Sequence, residues 1–138
     1  MNGKKNKFFF SAVAMLCLLS ACSSEVPAAA EDTNTGWRTI SAAEAYKMME
    51  ESDNYILLDV RTEDEFAERR IDGAILIPDF ELSERAEAEL PDKDETILVY
   101  CRSGRRSAGA AETLAKLGYT NVYDFGGIID WPYETVSG

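Results

Sequence analysis

Four short apolar runs, alternating with helix-like stretches, constrain this chain more than any other feature. They are "YILLDVR" (55–61), "GAILIP" (73–78), "ETILVYC" (95–101) and "NVYDF" (121–125). Runs with so little polar alternation read as strands buried on both faces. Ser41 with Glu44, and Thr62 with Glu65, give the S/T-x-x-E pattern of a capping box, so a helix starts at each. After the first box, Ala45, Met48 and Met49 make an apolar helical face that reads as core. "SERAEAEL" (83–90) is helical in propensity and is stopped by Pro91. Ala108, Ala111, Leu114, Ala115 and Leu117 mark another helix ending at Gly118. The alternation predicts an α/β fold, a mostly parallel four- to five-stranded sheet with helices on both faces. In such sheets ligands bind beyond the carboxyl ends of the strands.

The chain of 138 residues has room for one such domain. Residues 1–21 read differently. Lys4, Lys5 and Lys7 precede an apolar run from Phe8 to Leu19, too short for a typical membrane-spanning helix. Basic flank, apolar run and small residues form a secretion signal. Leu19-Ser20-Ala21-Cys22 resembles the lipobox of bacterial lipoproteins. That resemblance implies that Cys22 carries lipid as the mature N-terminus, with the protein outside the cytoplasm and anchored to a bacterial membrane. Residues 22–36, Ala-, Thr- and acid-rich, read as a flexible tether, and the folded domain is expected at 37–138.

Charge and composition narrow the chemistry. The net charge is −11, and the three lysines of the signal are among only 14 basic residues set against 25 acidic ones. So acidic a body repels nucleic acid phosphates. Histidine is absent, which removes His-based triads and His-ligated zinc. No metal or other cofactor is implied. Of three cysteines, Cys17 leaves with the signal and Cys22 belongs to the anchor. Cys101 is then the lone thiol of the domain, in a compartment where disulfides form. It is either buried and inert or kept for reactivity.

The residues after it favour reactivity. "CRSGRRS" places Arg102, Arg105 and Arg106 around Cys101 in an otherwise acidic protein. A loop running from a strand end onto a helix N-terminus can aim unpaired N–H groups inward. Gly104 supplies the dihedral that such a turn needs. With Ser103, these residues form a concavity suited to an anion around the sulfur. The arrangement stabilises a thiolate, which is the nucleophilic form, so no histidine base is required.

"LLDVRTEDEF", "IDGAILIP", "ILVYCRSGRRS" and "GGIIDWP", in that order and spacing, resemble a single rhodanese domain from about Trp37 to Gly138. The resemblance implies a cysteine that accepts a sulfane sulfur, holds it as a persulfide and passes it on. It assigns that role to Cys101, and the six-residue active loop to Cys101, Arg102, Ser103, Gly104, Arg105 and Arg106. It also assigns a supporting role to Asp59 and Arg61, which otherwise read as a structural ion pair. The implied partners are a small sulfur donor, such as thiosulfate or a persulfide, and a thiol or cyanide acceptor. One stretch departs from the pattern: Arg69 and Arg70 stand where the family often has Gly-His, which bears on substrate preference more than on fold.

Two other readings compete. Related folds use a cysteine loop as phosphatases or arsenate reductases, but phosphatases of this kind place arginine six positions after the cysteine. That position here is Ser107. A non-catalytic module that carries sulfur or binds a partner has the same sequence features as an enzyme. Steady-state turnover with a small acceptor separates the two.

Overall fold

Each capping box starts a helix. The computed structural model describes residues 36–138; the signal segment, Cys22 and the tether through residue 35 lie outside the described residues. Helix α1 (Ala42–Glu51) follows Ser41, whose Oγ accepts from the Glu44 N–H at 3.2 Å while the Ser41 N–H donates to Glu44 Oε2 at 2.8 Å. Helix α2 (Glu63–Glu68) follows Thr62 with the same reciprocal pair, to Glu65. Helix α3 (Leu82–Glu89) has no side-chain cap, and Arg85 ties it together through Glu81 and Glu89. Helix α4 (Arg105–Lys116) starts directly on the arginine loop, and Gly118 beyond its end has φ +96°.

The strands are β1 (Trp37–Thr39), β2 (Ile56–Asp59), β3 (Ile75–Leu76), β4 (Ile97–Cys101) and β5 (Val122–Gly127). They form one sheet in the order β1-β5-β4-β2-β3, and every pairing is parallel. Five strands and full parallelism are thus the outcome. The first strand, "WRT", is too short and too little buried to stand out as an apolar run. Its register sets Trp37 level with Val122 and, one strand further in, with Ile97.

Topology explains the layers. The connections β1→β2 and β2→β3 run toward one edge, and β3→β4 and β4→β5 toward the other. Right-handed crossovers therefore place α1 and α2 on one face and α3 and α4 on the opposite one. The side chains agree. Leu82 and Ala86 of α3 and Ala110, Ala111 and Leu114 of α4 pack with Leu58, Ile97, Val99 and Cys101. Ala45 of α1 packs with Leu57, Leu98, Tyr100, Phe125 and Trp131. Strand β4 is buried at every position, alternating between the two cores. Chains leaving the adjacent strands β2 and β4 diverge to opposite edges, so a crevice opens between their carboxyl ends, as at any topological switch point.

Candidate active site

Cys101 closes β4 at that crevice. Strand alternation turns it toward the α3/α4 core, and it is 1% exposed. The Gly104 N–H donates to its Sγ at 3.1 Å. Gly104 is the N-cap of α4 in the left-handed region, φ +96°, so the loop reverses there and presents its N–H to the sulfur. Among the described residues Cys101 is the free cysteine.

The loop is held by β5. A register shift between Val99 and Cys101 inserts one extra residue in β5, pairing Val99 with Asp124 but Cys101 with Gly127. Gly126 takes φ +91°, and its N–H donates to the buried Asp124 carboxylate at 3.0 Å. A Cβ on Gly127 would collide with the Arg102 carbonyl oxygen and lie 2.5 Å from Ser103 Cα. Only glycine lets the two backbones meet. Ser107, fully buried, places its hydroxyl 3.1 Å from the Gly104 carbonyl and 3.3 Å from that of Gly126, and the Ile129 N–H donates to the Arg102 carbonyl. The position at which phosphatases carry an arginine is thus occupied by a hydroxyl that ties loop to sheet.

The three loop arginines have different surroundings. Arg106 Nη1 and Nη2 donate to Glu65 Oε2 and Oε1, both at 2.9 Å, a bidentate pair across the crevice from α4 to α2. Those hydrogen bonds hold the Glu65 carboxyl at about 2, against the opposing effect of its partial burial. The same bonds raise the Arg106 guanidinium, with smaller contributions from charge on Cys101 and Asp79. Arg102 and Arg105 are exposed. A cavity of about 600 Å³ is lined by Ser103, Arg105 and Arg106 with Asp79 and the first turns of α4. A second, of about 320 Å³, is lined by Arg102 with Arg61, Glu65, Glu68, Arg69, Ile128 and Ile129.

Asp59 and Arg61 form a buried pair. Arg61 Nε lies 2.9 Å from Oδ1 and Nη2 lies 2.6 Å from Oδ2, with 4% and 0% of the two side chains exposed. Arg61 Nη2 also donates to the Arg69 carbonyl at 2.5 Å. The pair therefore fixes the exit of α2, and with it the helix carrying Glu65. Beside it the Tyr100 hydroxyl accepts the Ile71 N–H, and burial first of all pushes that phenol up. Arg69 ends α2 in an extended conformation, φ −162°, and donates through Nη2 to the Ile128 carbonyl at 3.2 Å. Arg70 pairs with Val136 in a short antiparallel bridge and donates to the Gly138 oxygen at 2.6 Å.

Sequence reasoning brought the loop residues together but missed three of its supports. Glu65 was legible only as a cap. Ser107 carried no signal. The Gly126-Gly127 pair was visible, and two adjacent glycines after a strand are a usable sign of close backbone approach.

The comparisons with known proteins agree with this architecture. Residues 41–132 match the family model described as a rhodanese-like domain. The chain is 41% identical over 81 residues to thiosulfate sulfurtransferase PspE of Escherichia coli, covering 59% of this chain and 78% of that one. It is 38% identical over 82 residues to a sulfurtransferase of Allochromatium vinosum, covering 59% and 75%. A solved structure of a rhodanese with anions from E. coli superposes with a TM-score of 0.58 at 39% identity, over 61% of this chain and 99% of that one. With a match over most of its length, an all-parallel five-stranded sheet and a cysteine loop at the switch point, this chain belongs to the rhodanese-like domain family.

Proposed function

We propose that the protein is a sulfurtransferase that moves a sulfane sulfur from thiosulfate or a persulfide to a thiophilic acceptor through a persulfide on Cys101. The observation that carries this reading is the Gly104 N–H on the Cys101 Sγ, inside a six-residue cationic loop at the end of β4. The names of the relatives support sulfur as the group transferred.

The first step is a displacement. The Cys101 thiolate attacks the outer sulfur of thiosulfate, a sulfur–sulfur bond forms to Cys101, and the bond to the sulfonate sulfur breaks. Sulfite leaves with the electron pair, so no external oxidant or reductant takes part. In the second step an acceptor thiolate attacks the transferred sulfur. The bond to Cys101 breaks, the electron pair returns to the cysteine, and an organic persulfide departs; cyanide leaves as thiocyanate instead. This is a two-step exchange through a covalent intermediate. Arg102, Arg105 and Ser103 meet the donor's oxygens, and Arg106 offsets the Glu65 carboxylate beside the anionic donor. Asp59 and Arg61 support the site through the α2 exit.

The test is mass spectrometry of the reduced protein after thiosulfate. One added sulfur atom on Cys101, with release of sulfite and removal by cyanide, is the expected result. Cys101→Ser, which changes one atom, abolishes the addition. A folded protein that takes up no sulfur from either donor class overturns the reading. Catalytic turnover with a small thiol distinguishes an enzyme from a carrier module.

The same proposal includes the membrane. Leu19-Ser20-Ala21-Cys22 supports cleavage before Cys22 and lipid on its sulfur, which sets the domain outside the cytoplasm on a tether. The mature N-terminus, read by mass spectrometry, decides this, and an unmodified chain starting at Met1 refutes it.

A further inference from the structure

The 320 Å³ cavity beside Arg102 holds two charges, on Glu68 and Arg69, that the proposed donor step leaves unused, and Arg102 is free again once sulfite has left. Five of its lining side chains are charged, but two of these are committed elsewhere. Arg61 is taken by Asp59 and the Arg69 carbonyl. Both oxygens of Glu65 are taken by Arg106, and one of them by Thr62 as well. Three remain. Among the described residues, the side chains of Arg102 and Glu68 make no ion pair or hydrogen bond. Arg69 commits only Nη2, to the Ile128 carbonyl, which anchors the guanidinium against the cavity wall and leaves its other nitrogens free. The cavity thus offers two cations and one anion, and it touches the loop at the residue bonded to Cys101. Its volume lies at the small end of small-molecule sites.

We infer that this cavity is an acceptor subsite for thiols that carry an α-amino-acid group, with Arg69 and Arg102 taking the carboxylate and Glu68 the ammonium. The inference rests on the sulfurtransferase reading and specifies the class of its second substrate. Two guanidiniums suit a carboxylate because their planar donors match its oxygens. The selecting residue is Arg69, one of the two at which this chain departs from the usual family pattern. Chemistry at the sulfur is unchanged: the bound thiolate attacks the transferred sulfur, and the electron pair of the broken bond returns to Cys101.

The test uses the full protein, loaded on Cys101 with thiosulfate and freed of excess donor. Discharge is followed with cysteine, cysteamine, 3-mercaptopropionate and 2-mercaptoethanol, compared at equal thiolate concentration. These carry both charges, the ammonium only, the carboxylate only and neither. Cysteine is expected to show an apparent KM at least about fivefold below that of 2-mercaptoethanol, with the singly charged thiols between. Arg69→Ala should bring the cysteine-to-cysteamine ratio toward one, and Arg69→Lys should retain part of it. Glu68→Gln should instead narrow the cysteine-to-mercaptopropionate ratio. Each comparison is made within one variant, so a general loss of activity does not imitate the effect. Four thiols with equal KM on the unmutated protein, or ratios insensitive to both substitutions, overturn the subsite and leave sulfur transfer standing. Failure to load sulfur at all overturns the sulfurtransferase reading and the subsite with it.

Discussion

Glu65 and Arg106 lie 41 residues apart in sequence and meet through two parallel 2.9 Å hydrogen bonds across the mouth of the cysteine loop. Glu65 also receives the Thr62 N–H as the third residue of α2. One carboxylate therefore starts a helix on one face of the sheet and holds the first turn of a helix on the other.

The pair gives stability a defined acid dependence. Arg106 holds the Glu65 carboxyl at about 2, below its ordinary value of 4.5. A depressed folded-state value contributes stability that is present above about 4.5 and lost as pH falls toward about 2. Glu65→Gln keeps the capping pattern, since glutamine also serves there, but removes the charge. The variant should be less stable than the parent by about 1 kcal/mol at neutral pH. The difference should shrink through that window, as measured by denaturant unfolding at a series of pH values.

Arg106→Ala should slow thiosulfate loading of Cys101 by about tenfold, or ~1.4 kcal/mol in barrier. It removes a cation and also leaves the Glu65 carboxylate uncompensated near an anionic donor. Adding Glu65→Gln should recover part of the loss, because contacting residues are not additive. Single-turnover sulfite release from the four proteins of the cycle measures the coupling, and additive losses would show that Glu65 does not act through Arg106.

Gly127→Ala should disable the loop. The new methyl would occupy the space of the Arg102 carbonyl and Ser103 Cα, both backbone, and backbone cannot rotate aside. A cost of about 3 kcal/mol is expected, the upper end for overpacking. Thermal unfolding reports the cost, and Cys101 alkylation reports the displaced loop.

Asp59→Asn leaves the Arg61 guanidinium buried without its counter-charge. That should cost about 3–5 kcal/mol, whereas replacing both residues by apolar ones of similar size should cost far less. Chemical denaturation of the single and double variants distinguishes these outcomes. If the pair acts through the exit of α2, the double variant should still load sulfur more slowly than the parent despite regained stability.

What the sequence disclosed follows from which forces are local. The buried runs of β2, β4 and β5, the boxes at Ser41 and Thr62 and the glycine at 118 are signals carried within a few residues, and each matched an element. The loop was legible because three cations are clustered in an acidic chain. The remaining features depend on pairing between distant segments. Strand β1 exists because β5 offers an edge to three unremarkable residues. Glu65 finds Arg106 only once β2 and β4 are neighbours. Ser107 matters because an extra residue in β5 brings the Gly126 carbonyl to it.

An all-parallel sheet has two unlike poles, and this one assigns them separate duties. Trp37 opens β1 level with Ile97, and Cys101 lies four residues beyond Ile97 along β4. At ~3.3 Å per residue the sulfur-bearing end stands about 13 Å further along the strand direction than the point where the chain enters. The chain enters the sheet at the trailing pole, and the cysteine loop lies at the leading one. The crevice and the chain's entry into the sheet therefore lie at opposite ends of the strands, so a substitution at one end can be made without touching the other.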